Sequence, residues 1–330
     1  MTYADGRYGA LDIGTVTCRL LVADVEDGRI IDVDKEYAIT DLGVGVDATG
    51  RLSEAAIERV LACVDRYLEV LARYDAPEHP VRRLIAMATS ASRDAENGPE
   101  FAARLAERGV TLAVIPGSRE AQLTFLGASS DFPDEKLLVV DIGGGSTEVV
   151  AGSFGTDPVA SRSFDIGCRR VTERFFHDDP PTPGQMDAAR QWIREAMAPY
   201  FEGLADIGFA IDRVVAVAGT ATSVVSIREA METYDSSRVH KAVVTADELR
   251  TIEERLAAEP LEERKATVGL DPKRAGVIVA GFVILEEVLA LAGAYAYTAS
   301  ESDILHGMIF EAAREISLGA TSVAPPRERP

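Results

Sequence analysis

The chain has 330 residues, 47% of them hydrophobic, which is enough for two ordinary domains with a sizeable core in each. Its formal charge of −20 makes broad binding to nucleic acid or to an anionic membrane surface unexpected, because a uniformly acidic surface repels polyanions. Three widely spaced cysteines, Cys18, Cys63 and Cys168, form neither a CxxC metal pair nor a disulfide framework, and they read as idle buried thiols in a reducing compartment.

The opening "MTYADGRYGALDIG" has no basic segment leading into an apolar signal core, so a cytoplasmic protein is expected. From Tyr8 to about Ile39 the text reads as three strands, "GALDIG", "CRLLVADV" and "IIDVDKEYAI", with a hairpin turn at Glu26, Asp27 and Gly28. Ser53 then caps a helix whose Ile57, Val60, Leu61, Val64, Leu68 and Leu71 recur at helical spacing. A strand "RRLIAMAT", a helix over about 100–107 and a strand "TLAVI" follow, and Gly117 and Ser118 open the helix "REAQLTFLGAS". The polar stretch "SSDFPDE" reads as a hinge.

After it the opening pattern returns as "KLLVVDIGGG", "STEVVAGSF" and "VASRSFDIG". Helices are expected near 170–176 and 182–200, then a strand turning straight into a helix in "RVVAVAGTATSVV". Thr245 and Glu248 make a capping box for another helix. A long apolar helix over about 272–292 contains Glu286 and Glu287, so it reads as buried rather than as a membrane span. The strand "AYAYTAS" and a last helix over 303–317 complete the pattern, and residues 318–330 are expected to be disordered. The whole is an α/β chain with an internal duplication and no short tandem repeat.

The duplicated phrases carry chemistry. An aspartate at a strand end, Asp12 or Asp141, points a carboxylate out of the strand, and the glycines after it let the backbone approach a ligand closely. In Gly143, Gly144, Gly145 and Ser146 successive N–H groups make a nest for phosphate oxygens. Two such turns facing each other would set two carboxylates about one phosphate group, which points to Mg²⁺. A third small-residue turn, "AGTATS" with Gly219 and Thr220, opens a helix whose N-terminus attracts anions.

In order along the chain, "DIGT", "TSASRDAEN", "PGSREAQLTFLGA", "DIGGGSTE", "GCRRVTERF", "AGTATS" and "GLDPKRA" resemble the exopolyphosphatase and guanosine pentaphosphate phosphohydrolase (Ppx/GppA) family over about Tyr8 to Glu315. The resemblance implies a duplicated ribonuclease-H-like fold of the actin-like ATPase superfamily with an active-site cleft between two domains. They are expected at 1–131 and 132–302, with the 303–317 helix packing back on the first. Longer relatives carry a further C-terminal helical domain, which is not expected in this chain. The resemblance makes Glu120 the general base on water, and a first-turn carboxylate does stay ionised in the field of its helix. It makes Asp12, Asp141 and Glu148 the metal carboxylates, and Arg93 a catalytic arginine that neutralises phosphate. Gly14, Thr15 and Thr17 of the first turn, Gly143 to Ser146 of the second, Gly219 and Thr220 of the third, and Arg170 after the second become phosphate-binding residues, though neighbouring Arg169 leaves that last assignment open.

Four departures stand out: Val16 in the first turn, Arg119 beside Glu120, Asp41 where arginine is frequent, and His306 in place of arginine. The activity implied is Mg²⁺-dependent release of terminal orthophosphate from inorganic polyphosphate, with cleavage of guanosine pentaphosphate as the alternative substrate. An actin-like kinase and a non-catalytic phosphate or nucleotide sensor are the further readings. Arg169, Arg170, Arg238, Lys241, Lys265, Lys273 and Arg274 are candidates for a positive track along a polyphosphate tail. Homodimers occur often in the resembling family, but the apolar helix is read as core.

Overall fold

The structure, a computed structural model, describes residues 2–319, so the expected disordered tail lies from 320 onward outside the described residues. Packing divides the chain into two compact units. One comprises residues up to Pro116 with the helix that begins at Ile304; the other is Gly117–Asp303. This division differs from one at 131 by the Gly117–Ser129 helix, whose Ala121, Phe125 and Ala128 pack with Val139, Val150 and Val215 into the second unit's core.

In the first unit, β1 (Gly6–Ile13), β2 (Thr17–Glu26), β3 (Arg29–Ile39), β4 (Val81–Ala88) and β5 (Leu112–Val114) form a sheet of order β3-β2-β1-β4-β5. The first three strands make an antiparallel meander, and β4 and β5 add parallel to β1. Asp27 and Gly28 both take positive φ, 50° and 74°, the backbone that a two-residue hairpin turn requires. The Glu54–Tyr74 helix starts where the Ser53 side chain accepts the Ala56 N–H, and it sinks Ile57, Val60, Leu61 and Val64 among Leu11, Leu20 and Val22. The Ile304–Ser317 helix packs against β1, β2 and β4 of this unit.

The second unit repeats the plan. Its strands are β6 (Leu137–Ile142), β7 (Thr147–Gly152), β8 (Ala160–Phe164), β9 (Arg213–Val217), β10 (Val243–Thr245) and β11 (Ala296–Ala299), in the order β10-β11-β9-β6-β7-β8. β6, β7 and β8 are the antiparallel meander, β9 and β11 continue parallel to β6, and β10 adds an antiparallel edge. Five strands in the same order and directions in each sheet, with β10 added in the second, are a duplicated ribonuclease-H-like fold, that of the actin-like ATPase superfamily.

The apolar helix begins at Ile278, later than its pattern alone indicated, because residues 272–277 form turns. Among the described residues no helix is long and apolar enough to cross a membrane. Its two glutamates are buried in an ionic network. Arg190 of the Pro183–Asp206 helix bonds both Glu286 and Glu253, and Arg194 grips Glu287 with bonds of 2.9 and 3.0 Å. Arg250 bonds Glu286 at 2.7 Å.

Burial, together with a hydrogen bond shared with Glu286, pushes the Glu253 carboxyl up to about 8 against the pull of Arg190. For Glu286 burial is outweighed by bonds from Glu253 and Arg250 and by the charge of Arg190, so its carboxyl stays below its ordinary value. A folded-state proton bound this tightly at Glu253 stabilises fully below the ordinary carboxylate range and is lost as pH rises from there through about 8. Replacing Glu253 by Gln keeps the hydrogen-bonded amide at every pH. The variant is therefore expected to gain about 5 °C in Tm relative to the parent between pH 6 and pH 9, on the order of 1–2 kcal/mol for a unit of this size. Thermal melts of both proteins across that range would show it.

Candidate active site

Each unit carries a four-residue turn at the end of its first strand. In the first, the Gly14 N–H bonds the Thr17 carbonyl at 2.8 Å; in the second, the Gly143 N–H bonds the Ser146 carbonyl at 3.0 Å. Asp12 and Asp141 sit two residues before these glycines, at matching positions of the two hairpins.

The carbonyls of both turns are held by the protein. Gly143 accepts from the Cys168 N–H at 2.9 Å, and Gly144 accepts from Arg169 and Arg170 at 2.9 and 3.2 Å, all at the start of the Cys168–Phe175 helix. A trans peptide sends its N–H opposite to its C=O. The N–H groups of Gly144 and Gly145 therefore point away from that helix, as a nest for an anion requires. Gly167 makes the approach possible, since a Cβ there would come within 2.3 Å of the Gly144 oxygen.

The first turn uses the same device with Gly14 as its single glycine. The Thr15 carbonyl accepts from Gly43 at 2.8 Å, and the Val16 carbonyl accepts from Thr40 and Asp41 at 2.9 and 3.0 Å. The N–H groups of Val16 and Thr17 are thereby turned the other way. Val16 loses a side-chain donor, but its side chain is buried and the backbone donors are kept. Asp41 adopts φ 51° and acts in this bracing through its backbone.

The carboxylates differ between the units. Directly opposite Asp12 on β2 is Arg19, which holds its carboxylate with bonds of 2.7 and 3.1 Å. Directly opposite Asp141 on β7 is Glu148, which accepts a 2.7 Å bond from Ser163. Glu120 is buried in the first turn of the Gly117–Ser129 helix, one turn before Thr124, whose hydroxyl reaches the Asp141 carboxylate at 3.4 Å. Within the second unit, then, Asp141 and Glu148 are neighbours across the hairpin, and Thr124 ties Asp141 to the helix of Glu120.

The third turn lies where β9 runs straight into the Ala218–Arg228 helix. Ala218 takes φ 62°, a left-handed backbone costly for a residue with a Cβ. A Cβ on Gly219 would fall 1.2 Å from an Arg274 guanidinium nitrogen, so Gly219 is the space that the guanidinium fills. A guanidinium beside the positive end of a helix makes a site for an anion, not for a cation. Tyr234 stands here too, its hydroxyl bonded to Glu301. Burial raises Cys168, against Arg169 and Arg274.

The other expected residues are placed as follows. Arg93 bonds the Ile115 carbonyl at 3.2 Å and lies 3.7 Å from Asp94. Arg170 lies 3.6 Å from Asp165, and Arg169 lies 3.7 Å from Glu173. Arg238, Lys241 and Lys265 pair with Glu229, Asp131 and Glu262, the ordinary fate of surface charges. Arg119 bonds Gln122, and His306 bonds Asp32 at 3.0 Å within the first unit. Among the described residues no group of three His, Cys, Asp or Glu side chains is gathered for a metal ion. The third expected ligand, Asp12, instead has a guanidinium as its partner. Arg19 was missed by sequence reasoning; its only signal was its place opposite Asp12 in a hairpin of known register. Arg274 was legible only as one cation among seven.

Two ribonuclease-H-like units, each with an anion-directed turn after its first strand, define a phosphate-handling protein of the actin-like fold. The model of the Ppx/GppA phosphatase family matches residues 21–315, and the chain belongs to that family of hydrolases. It is 38% identical over 319 residues to a protein named exopolyphosphatase 2 from Mycobacterium tuberculosis, covering 92% of this chain and 97% of that one. A crystal structure described as an exopolyphosphatase-like protein superposes with a TM-score of 0.85 at 31% identity, covering 95% of this chain and 99% of that one. An exopolyphosphatase from Cytophaga hutchinsonii superposes with a TM-score of 0.84 at 26% identity, covering 96% and 99%. The chain is thus an exopolyphosphatase-like phosphatase.

Two glycine substitutions separate framework from ligand. Gly167→Ala drives a methyl into backbone and is expected to destabilise the fold by about 1–3 kcal/mol, seen as a lower Tm. The nearest atoms that Gly219→Ala meets belong to the far end of the Arg274 side chain, which can shift. Its Tm should stay near the parent's, while affinity for a phosphate anion, read by calorimetry, should fall.

Proposed function

We propose that the protein is an exopolyphosphatase, which hydrolyses the terminal phosphoanhydride bond of inorganic polyphosphate and releases orthophosphate. The observation that carries this reading is the arrangement in the second unit: buried Glu120, Asp141 tied to the same helix by Thr124, Glu148 opposite Asp141, and a glycine turn with outward N–H groups.

In this reading Glu120 orients a water and takes its proton as the oxygen attacks the end phosphorus. The shortened chain leaves through its bridging oxygen. The N–H groups of Gly144 and Gly145, with the Ser146 hydroxyl, face the non-bridging oxygens, where charge must be offset in the transition state. Arg274 and the start of the helix at Gly219 and Thr220 hold further phosphates, with Arg170 in support. In the first unit, Gly14, Thr15 and Thr17 with Arg93 are proposed to act on phosphate oxygens as well.

Asp141 and Glu148 fit Mg²⁺, which is held by one or two carboxylates together with waters and substrate phosphates. When bound, the ion would neutralise phosphate charge. Asp12, bonded by Arg19, serves better as the anchor that aims that guanidinium than as a third ligand.

Orthophosphate release would be measured from short and long polyphosphate and from guanosine pentaphosphate. Glu120→Gln is expected to lower kcat by about 10²–10⁴-fold with polyphosphate binding retained. Preference for the nucleotide would overturn the substrate, and an undiminished variant would overturn the base. Glu148→Gln should raise the Mg²⁺ concentration for half-maximal rate by about 10–100-fold, the usual range when a group supporting a metal site is removed.

A further inference from the structure

Two of the three cysteines, far apart in sequence, meet in the core of the first unit. Cys18 is the second residue of β2, and Cys63 lies in the Glu54–Tyr74 helix packed on that strand. The register of helix on strand is pinned one turn after Cys63, where the Tyr67 hydroxyl donates to the Cys18 carbonyl at 3.0 Å. Both side chains are buried in the same apolar cluster, close enough that each thiol shifts the other's titration. Both cysteines are reduced in the structure.

The two thiols are not equivalent. The Cys18 thiol, with Arg66 nearby, holds Cys63 below a free thiol despite burial. Cys18 is raised by neighbouring Cys63 and by burial. This is the division of labour of a nucleophilic and a resolving cysteine.

We propose that Cys18 and Cys63 form a reversible disulfide when the protein meets hydrogen peroxide, and that the bond lowers its phosphatase activity. The Cys63 thiolate attacks one peroxide oxygen, the O–O bond breaks, and protonation releases the other oxygen as water, leaving Cys63 as a sulfenic acid. The Cys18 sulfur then attacks the Cys63 sulfur. The sulfenic oxygen leaves as a second water, carrying the Cys18 proton with it, and the two sulfurs are joined. In sum, two thiols lose two hydrogens and one peroxide is reduced to two waters. Burial sets the rate, because the oxidant must enter through local opening of the helix, and it also shields the intermediate from further oxidation.

The site lies within reach of the effect. Cys18 is in register with Ile13, the residue between Asp12 and the Gly14–Thr17 turn, and the next residue, Arg19, holds Asp12. Drawing Cys18 towards the helix to satisfy disulfide geometry moves the strand that aims Arg19.

The full-length reduced protein would be treated with hydrogen peroxide, denatured, alkylated and analysed by intact mass and peptide mapping. The expected result is one alkylatable thiol where the reduced protein has three, a mass lower by two hydrogens before alkylation, and a linked peptide pair containing Cys18 and Cys63. Orthophosphate release should fall several-fold and return with a thiol reductant, whereas Cys18→Ser and Cys63→Ala should keep their own activity under the same oxidant. If a variant fails to fold, the peptide map of the parent still decides. Three remaining thiols, oxygen adducts without a link, or a link through Cys168 would overturn the proposal. The covalent readout uses no substrate, so its failure is distinct from failure of the polyphosphate assignment.

Discussion

A planar trans peptide cannot aim its carbonyl and its N–H the same way, and the chemistry of this protein depends on that constraint. In each unit the turn after the first strand has two carbonyls captured by donors from inside the same unit. In the second unit these are the first amides of the Cys168–Phe175 helix; in the first they are the amides of Thr40, Asp41 and Gly43. The following N–H groups are thereby turned outward and held rigid. Such donors need no reorganisation when a charged ligand arrives, which is the condition for strong electrostatic stabilisation.

The duplication sets the two turns in equivalent places, and divergence has given them different chemistry. Opposite the conserved geometry of the strand-end aspartate, one hairpin carries Arg19 and the other Glu148. The first pair is an ion pair in which two guanidinium N–H groups share one carboxylate oxygen, neutral as a whole. The second is a pair of carboxylates. A single residue opposite each aspartate thus separates a neutral ion pair from a pair of carboxylates on the same backbone.

The helices behind the second turn are locked by charge as well as by apolar packing. Three glutamates and three arginines are matched among the Pro183–Asp206, Ala246–Ala258 and Ile278–Ala292 helices. Removing an arginine from such a network leaves uncompensated buried carboxylate charge, so it specifies how these helices meet more than it adds to stability. At the third turn, the absent side chain of Gly219 and the strained backbone of Ala218 make room for Arg274. Here the fold accepts local cost to set a guanidinium at a helix end.

Much of this was legible in the order of residues. Alternating apolar runs, the Asp27–Gly28 turn, the caps at Ser53 and Thr245, and the repeated Asp-Ile-Gly phrase determine strands, helices and duplication, because they act through local backbone preference and period. The family likeness, carried by several motifs in order, points to Glu120, Asp141 and the glycine turn. Partnership across space was another matter. That Asp12 is held by Arg19, that Arg274 alone among seven candidate cations fills the space of a glycine at a helix end, and that Cys18 meets Cys63 are decided by register and by the packing of helix on sheet. The Gly117–Ser129 helix joins the second unit for the same reason: a polar stretch marks where a chain can bend, but which core a helix completes depends on the side chains it finds there. Sequence alone determined the elements and the kinds of chemistry they could carry; tertiary structure decided which charges are spent on one another, since a charge is neutralised by whatever lies within a few ångströms, not by what lies near it in the chain.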